Sequence, residues 1–390
     1  MLLARRAGTV LGAITLLGAA LGIQSAALAG SPDWKIVASP NHPQATLSFL
    51  AGVSCSAASG CVAVGYWDKT AAHTSPLLEG WNGRHWSLLR PPGIVESADL
   101  LAVSCSSAAF CMAVGYEVIG TKDQLLTVSW NGHSAHHVLF PAVSGALEGQ
   151  LTSVSCSSRT DCIAVGWTNN GDEDSPLIAR YNGIQWTLSQ ITGQVTAGDI
   201  SLSSVSCSTA KWCVAVGSGG ADSGGVLLTS VDQKIWAYSS KVKLPAAESG
   251  FYDVSCTGKK TCVALGWGAL MLNKDFKWVV ESGYGNTWRE HQAPLPDKLP
   301  LAVPEGMSCS AGQCTIAGYL DYGFSATSRF TSLIMSWNGH KLSTLPSTPV
   351  PHSRDSEFGG VNCTAGTCWA VGTSGTKKVF RSLIERSWSS

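Results

Sequence analysis

Short apolar runs alternate along this chain with clusters of glycine, serine, asparagine and proline, a pattern that predicts short β-strands joined by turns. One arrangement returns seven times with small variations: a strand ending in Val-Ser-Cys, a short polar turn, and a second strand of the form Cys-x-Ala-Val-Gly. Val53–Gly65 is its first copy. The first cysteines of successive copies are 49 to 54 residues apart. This period is typical of a β-propeller or a solenoid, and the short strands and frequent turns favour the propeller.

Each copy contains four predicted strands, labelled A to D. Strand A ends at Val-Ser-Cys, strand B is the Cys-x-Ala-Val-Gly run, and strand C is an apolar run such as Pro76–Trp81. An Asn-Gly turn, as at Asn82-Gly83, then joins strands C and D in a tight hairpin. In four copies strand D opens with a tryptophan, and we interpret these side chains as packing between blades rather than stacking on ligands. They are Trp86, Trp186, Trp236 and Trp288.

The two ends of the repeat array complement each other. The last copy stops after its strand C, whereas Asp33–Pro40 reads like an isolated strand D. Pairing the two would leave no open edge, and a solenoid would have no use for this arrangement. We therefore predict an all-β fold, a single seven-bladed β-propeller of four-stranded antiparallel blades closed by an N-terminal strand. The predicted blades are about 44–95, 96–145, 146–196, 197–245, 246–298, 299–350, and 351–390 with 31–41.

The first 29 residues have the order of a secretory signal peptide. Arg5 and Arg6 precede an uncharged, mostly apolar run, and Ala27-Leu28-Ala29 forms a small-residue cleavage site. We expect cleavage after Ala29, a secreted mature propeller over 30–390, and no membrane insertion of the mature chain. The alternative is an uncleaved membrane anchor, which the Ala-x-Ala site disfavours.

Composition narrows the classes of partner. Charged residues make up 13% of the 390 residues, and Lys plus Arg equals Asp plus Glu at 26 each. This balance leaves no basic field for nucleic acid or for an anionic membrane surface. We expect a monomer whose partner is a glycan or an extracellular protein.

All fourteen cysteines belong to the repeat, and each pair flanks the turn between strands A and B. Cross-strand neighbours at such a turn are within reach of a disulfide, and export favours oxidation. Zinc is the alternative, but seven pairs cannot be divided into four-cysteine sites. We predict no metal at these cysteines and seven disulfides: Cys55–Cys61, Cys105–Cys111, Cys156–Cys162, Cys207–Cys213, Cys256–Cys262, Cys309–Cys314 and Cys363–Cys368.

The turns before the strand D tryptophans carry a resemblance to a known superfamily. Ser230–Trp236 and Trp81–Trp86 are similar to a degenerate Asp-box, the Ser-x-Asp-x-Gly-x-x-Trp turn of sialidase-like and sortilin-like propellers. The whole mature chain resembles secreted bacterial propellers of that kind. No turn keeps the complete Asp-box, and no Phe/Tyr-Arg-Ile-Pro segment like that of sialidases is present. The resemblance therefore implies the fold and not sialidase chemistry.

The expected ligand face is the end where the B–C and D–A connections collect, because the A–B and C–D hairpins occupy the other end. Two sets of side chains recur there. Aromatic residues five positions after the second cysteine are Tyr66, Tyr116, Trp167, Trp267 and Tyr319, with Ser218 and Thr373 in the other blades. Acidic residues near the start of strand A are Glu96, Asp99, Glu148, Asp199, Glu248, Glu305, Asp355 and Glu357. Together they suit sugars or cations, and the alternative is wedging between blades with solvated acids.

The seam between blades seven and one is predicted to bring three connections together. Candidate catalytic residues there are His42, His73, His352, Arg354 and Asp355, and candidate ligand contacts are Trp67 and Asp68. Histidine titrates near neutral pH, and arginine can pair with an acidic substrate. The alternative is that these loop histidines lie near one another by chance.

Three functions remain open from the sequence. The first is a non-catalytic extracellular binding scaffold for a glycan or protein, since no nucleophile–base or metal-ligand motif is present. The second is a carbohydrate-active enzyme, a polysaccharide lyase or glycoside hydrolase using seam histidines or ring carboxylates. The third is a structural cell-surface or assembly factor. No cofactor is expected, apart from Ca²⁺ near Asp172 and Asp174 as a minor alternative.

Overall fold

The computed structural model describes residues 33–70, 73–93, 97–193, 199–219, 224–239, 248–258, 261–270, 275–284, 287–293, 301–310, 312–323, 329–376 and 378–388. The predicted signal peptide lies outside these residues. Within the described ranges, no helix is long and apolar enough to cross a membrane.

The described chain forms seven β-sheets that are the blades of a seven-bladed propeller, as predicted. Strands are numbered in chain order. Blades one to three are β2 (Leu47–Ala57), β3 (Gly60–Thr70), β4 (His73–Trp81), β5 (Trp86–Leu88); β6 (Ala98–Ser107), β7 (Phe110–Ile119), β8 (Lys122–Trp130), β9 (Ala135–His137); and β10 (Glu148–Ser158), β11 (Asp161–Asn169), β12 (Asp174–Tyr181), β13 (Trp186–Leu188).

The remaining strands continue the same order. Blades four to seven are β14 (Gln190–Thr192), β15 (Ser201–Cys207), β16 (Cys213–Ser218), β17 (Gly225–Ser230), β18 (Ile235–Tyr238); β19 (Glu248–Gly258), β20 (Thr261–Leu270), β21 (Asp275–Gly283), β22 (Arg289–Gln292); β23 (Leu301–Ser310), β24 (Gln313–Asp321), β25 (Phe330–Trp337), β26 (Leu342–Leu345); and β27 (Asp355–Thr364), β28 (Thr367–Gly375), β29 (Phe380–Trp388) with β1 (Asp33–Ile36).

Strand A of each blade, which ends near the first cysteine, lines the centre of the ring. These inner strands are β2, β6, β10, β15, β19, β23 and β27. Each of these inner strands packs against its counterparts in the neighbouring blades, and β27 of blade seven packs against β2 of blade one. The ring is therefore closed, and each apolar layer lies between two neighbouring sheets.

The predicted N-terminal clasp is confirmed. Strand β1 pairs antiparallel with β29, placing Trp34 opposite Ser387, and the Trp34 side chain is buried. The Val37 N–H continues the ladder by donating to the carbonyl of Ile384 at 2.8 Å. Blade seven is thus built from both ends of the propeller.

Two features differ from the sequence expectation. Blade four carries a fifth strand, because β14 leaves blade three and pairs parallel with β18. The B–C connections, expected to be long in every blade, contain only residues 71–72 in blade one and 120–121 in blade two. Strands B and C of these blades are long enough to pair almost to their ends, so the D–A connections provide most of the loops on that face.

The predicted disulfides are confirmed, since all fourteen cysteines pair locally within their own blades. Seven disulfides indicate an oxidising environment such as the outside of a cell. Each bridge joins strand A to strand B beside their turn.

The glycine that ends each Cys-x-Ala-Val-Gly run has a steric cause. A bulge in strand A, between Leu151 and Ser153 in blade three, presses the strand against this glycine. A Cβ on Gly166 would lie 2.0 Å from the Gln150 carbonyl oxygen and 2.9 Å from the Leu151 Cα. The corresponding contact is 1.9 to 2.6 Å in every blade. The glycines are Gly65, Gly115, Gly166, Gly217, Gly266, Gly318 and Gly372.

The serine of Val-Ser-Cys connects neighbouring blades. The N–H of the first cysteine in each blade donates to this serine's Oγ in the preceding blade, as from Cys105 to Ser54 at 2.9 Å. The other serine acceptors are Ser104, Ser155, Ser206, Ser255 and Ser308. In blade seven Asn362 takes the serine's place, and its Oδ1 accepts from Cys55 N at 3.0 Å. These seven hydrogen bonds form a closed circle.

A buried carboxylate lies at the ring closure. Glu79, on strand C of blade one, is fully buried and accepts hydrogen bonds from Ser39 Oγ at 2.8 and 3.0 Å and from Ser382 Oγ at 3.3 Å. It therefore joins blade one to the segment after the clasp and to blade seven. Burial raises the pKa of Glu79 to about 7, against the opposing effect of the two hydroxyls. Equivalent strand C positions hold Glu281 and Glu385, whose pKa values burial also raises to about 7.

Stability should consequently fall as pH rises. Between the ordinary pKa of a glutamate and about 7, folded Glu79 keeps a proton that the unfolded chain releases. Its contribution is complete in acid and is lost as pH rises through 7, by about 3 kcal/mol at most. We expect the melting temperature to decrease from pH 5 to pH 8, and to decrease less in Glu79→Gln, in calorimetric scans across that range. Parallel pH profiles for the two proteins would contradict this.

Candidate functional site

The bulges of the inner strands present one unpaired residue per blade at the central channel. These residues are Ala51, Leu101, Thr152, Ser203, Tyr252, Glu305 and Gly359. Blades three and four use the position internally: the Thr152 and Ser203 hydroxyls donate to main-chain carbonyls of the next blade at 2.7 Å. Blades five and six instead place a phenol and a carboxylate there.

Glu305 and Glu357 form an acidic pair beside these bulges. Glu305 is solvent-exposed, yet the surrounding protein desolvates it, and with the nearby Glu357 carboxylate this raises its pKa to about 7. Burial, followed by the charge of Asp355, raises the pKa of Glu357. Both carboxylates are therefore disfavoured as anions, and a bound cation would relieve that cost.

Tyrosines surround this pair. Burial and the Glu305 carboxylate raise the pKa of Tyr252 to about 12. Burial and both glutamates do the same to Tyr319, and burial with Asp99 and Glu357 does so to Tyr66. The phenols are neutral at physiological pH and offer both hydroxyl groups and ring faces. We call Glu305, Glu357, Tyr66, Tyr252 and Tyr319 the channel cluster.

A second acid–phenol pair lies on the blade-two side of the cluster. Tyr116 donates its hydroxyl to Asp99 Oδ2 at 2.8 Å, and burial raises the pKa of both groups. Asp99 is 7% exposed. The hydroxyls of Thr74 and Tyr116 both hydrogen-bond this carboxylate and oppose the rise in its pKa. Asp99 is therefore a buried acceptor on blade two.

The five predicted aromatics are all half-buried. Tyr66 lies 5.5 Å from Phe49, Tyr319 lies 5.3 Å from Phe330, and Trp267 lies 6.5 Å from Tyr252 between ring centroids. No ring contact is described for Trp167. These rings pack against neighbouring side chains and are also partly accessible to solvent. Their positions are therefore compatible with both predicted roles, wedging between blades and contact with a ligand.

The predicted acids have different surroundings. Glu148 is half-buried and Asp199 is exposed, with its Oδ1 accepting the Asp174 N–H at 2.9 Å. Glu96 and the side chain of Glu248 lie outside the described residues. The acids therefore do not form a uniform ring, and Asp355, Glu357 and Glu305 are the ones that influence one another in sequence.

The seam residues are only partly brought together. His42 stacks on Trp67 with centroids 3.6 Å apart, and burial lowers the pKa of His42. Asp68 is buried and accepts from the Leu47 N–H and the Thr46 hydroxyl, each at 3.0 Å. Its carboxylate therefore holds the entry to strand A.

The other seam residues lie at turns. His73 and His352 are exposed, and His352 has a φ of 59° after Pro351, as a type II turn requires. Arg354 Nε lies 3.9 Å from the buried Asp355 Oδ2. The structure thus pairs His42 with Trp67 and Arg354 with Asp355, and His73 and His352 are exposed.

In the acidic loop considered for Ca²⁺, two side-chain oxygens accept hydrogen bonds from within the loop and its flanks. Asn170 Oδ1 accepts the N–H groups of Asp172 and Glu173, and Asp174 Oδ1 accepts from Asn169 at 2.7 Å. Among the residues that the structure describes, no three His, Cys, Asp or Glu are grouped to hold a metal ion.

Sequence reasoning missed two members of blade five. Tyr252 is the bulge residue, and the next residue, Asp253, joins three blades by accepting from Ser204 Oγ at 2.5 Å, Val254 N at 2.7 Å and Met307 N at 2.6 Å. Desolvation between the blades raises the pKa of Asp253 to about 6. Aligning the copies would have shown a signal, because Asp253 stands where other blades have Gly, Ala or Ser.

Comparison with known proteins supports the fold. No family model and no curated protein sequence matches the chain. Among solved structures, YCF48 bound to D1 peptide is 12% identical with a TM-score of 0.53, covering 92% of this chain and 97% of that one. A phage phi92 endosialidase is 9% identical with a TM-score of 0.52 over 92% of this chain and 69% of that one. A PL25 ulvan lyase is 6% identical with a TM-score of 0.50, over 90% and 93%. At these identities the likeness shows the propeller fold alone.

Proposed function

We propose that this protein is a secreted, non-catalytic binding scaffold whose channel cluster holds a positively charged segment of an extracellular protein. The observation that carries the proposal is the Glu305–Glu357 pair, whose pKa values are raised by burial and by neighbouring carboxylates. A lysine or arginine side chain would stabilise both anions, and the faces of Tyr252 and Tyr319 would add cation–π attraction.

Three further features support a protein ligand. The half-buried Tyr66 offers a flat surface with a hydroxyl, which suits a peptide as well as a sugar. The buried Asp99 carboxylate can accept a further hydrogen bond beside those from Tyr116 and Thr74. One propeller of similar fold is bound to a peptide. The ligand would enter from the end where the D–A connections collect.

The test is binding of a fluorescein-labelled peptide of alternating arginine and glycine, measured by anisotropy at physiological salt. We expect the Glu305→Gln/Glu357→Gln double variant to bind at least about tenfold more weakly, since charged hydrogen bonds contribute about 1.5–3 kcal/mol each. Affinity should rise from pH 6 to pH 8 as Glu305 loses its proton. Glu173→Gln, an exposed acid on a hairpin of blade three, is the matched control.

Equal binding by the double variant and the wild type would refute the cationic site. Equal binding of an otherwise identical glutamate–glycine peptide would refute it as well, because the channel cluster should repel that peptide.

A second candidate function is glycoside hydrolysis, favoured by the same acidic pair. A carboxyl group with a pKa near 7 next to a second carboxylate is the combination that a general acid and its partner need. Release of reducing sugars from a polysaccharide panel, lost in both single glutamine variants, would favour this activity over the scaffold.

A further inference from the structure

One strand D position, opposite the strand C residue that pairs with the second cysteine, is filled by tryptophan in most blades. It is Trp34 in blade seven, Trp86 in blade one, and Trp186, Trp236 and Trp288 in blades three to five. Blade six has Leu342 opposite Trp337, and blade two has Ala135 opposite Trp130. Blade two is therefore the one copy in which this position holds no large side chain.

The tryptophan fills space between its own blade and the preceding one. Trp86 lies 5.8 Å from Trp81 of its own blade and 5.3 Å from Trp369 of blade seven, between ring centroids. Trp186 lies 5.3 Å from Tyr181 and 5.6 Å from Phe140, which follows blade two. It thus covers the strand C aromatic and closes the gap between the sheets.

A cavity of about 310 Å³ lies between blades one and two, at the end of the ring that carries the disulfides. Ala135 does not line it, but packs against the same apolar cluster as Leu89 and Trp130, which do. Trp130 is half-buried, whereas Trp81 and Trp337 at the same position are buried. The cavity walls include Trp81, Trp130, Leu89, Gly80 and the Cys105–Cys111 disulfide.

We propose that this cavity is a binding site for a planar aromatic group of indole size, either a free molecule or a tryptophan side chain. The Trp130 indole, Leu89 and a disulfide offer edge-to-face and sulfur–aromatic contacts. The Trp81 indole itself packs against Trp86 and Trp369 in the layer between blades seven and one. An indole of this chain occupies the corresponding position in five other blades. Ser59, Asn82, Ser87 and Ser107 also line the cavity, and cavities that no side chain fills bind aromatic molecules of matching size. The site is remote in the fold from the channel cluster and does not depend on its function.

The direct test uses 5-fluoroindole, followed by ¹⁹F NMR, and N-acetyl-tryptophanamide, followed by calorimetry. We expect the wild-type protein to bind 5-fluoroindole at one site at millimolar or lower concentration. Binding of the amide as well would identify a side chain of a partner as an accepted source of the ring. If neither probe binds, the proposal is wrong.

Variants that fill the cavity, and one that creates the same cavity in another blade, make the test specific. Ala135→Trp should bind 5-fluoroindole at least tenfold more weakly, with a melting temperature no lower than that of the wild type. If that variant fails to fold, Ala135→Leu imitates blade six and should also weaken binding. Trp186→Ala should create a second site of the same kind in blade three. Unchanged binding in the filled variants would place the indole elsewhere and overturn the assignment.

Discussion

Substituting alanine for Gly166 should lower the melting temperature by about 4 °C or more, corresponding to a loss of about 3 kcal/mol in a chain of this size. The added Cβ would lie 2.0 Å from the Gln150 carbonyl oxygen and 2.9 Å from the Leu151 Cα, and both of these atoms belong to the main chain. Relief requires moving the bulged inner strand, which also carries hydrogen bonds to the next blade. Calorimetry on the purified variant measures the effect.

Gly93→Ala is the matched control for this substitution. A Cβ on Gly93 would meet nothing within 4 Å, and the residue lies in the connection after blade one. Its stability should be unchanged or slightly higher, because alanine restricts the unfolded chain. If both variants melt at the same temperature, the close approach of strands A and B does not explain the repeated glycine.

Deleting residues 31–41 should destabilise the protein by at least the loss expected for one buried tryptophan, about 3–5 kcal/mol. The deletion removes Trp34, the whole pairing of β1 with β29, and the Ser39 hydrogen bonds to Glu79. It exposes the edge of β29 and leaves the Glu79 carboxylate buried without one of its partners. We expect the melting temperature to fall by about 4–7 °C or more, and the protein to aggregate more readily.

The control is a chain that begins at Ser31, which keeps the clasp and lacks only the preceding residues. Its melting temperature should equal that of the full-length parent chain. Trp34→Ala, with the strand retained, should show an intermediate loss. A clasp deletion that melts with the control would show that blade seven does not need its fourth strand.

Internal comparison of the copies is what made the architecture predictable. The pairing of Cys55 with Cys61 and the strand position of Trp34 were inferred from equivalent residues in the other blades. A departure from the repeat at a single position therefore does not change the predicted fold. The fifth strand β14 could not be predicted in this way, because Gln190–Thr192 has no equivalent in the other copies. The seven inter-blade hydrogen bonds could not be predicted either. The sequence shows a serine before the first cysteine of most copies but does not show whether its hydroxyl accepts a hydrogen bond from the next blade.

The candidate site was predicted less well because it depends on three-dimensional convergence. Glu305 and Glu357 were recognised as acids near strand A, but the position of Glu305 near Tyr252 follows from bulges that leave no sequence pattern. His42 and Trp67 were correctly placed near each other, but the cause is local: the segment that enters strand A of blade one runs beside strand B, where Ser48 pairs with Trp67. His73 and His352 lie at exposed turns, and the sequence carries no information on the direction in which such side chains point.

The circle of hydrogen bonds from each first cysteine to the preceding blade has a consequence for how the protein comes apart. In a linear array the outermost units have a single neighbour and fray before the rest. Here Asn362 and Cys55 join the two ends, so every blade has two neighbours and no unit is terminal. Local opening of one blade must break contacts on both of its flanks, and this couples all seven units into one cooperative transition.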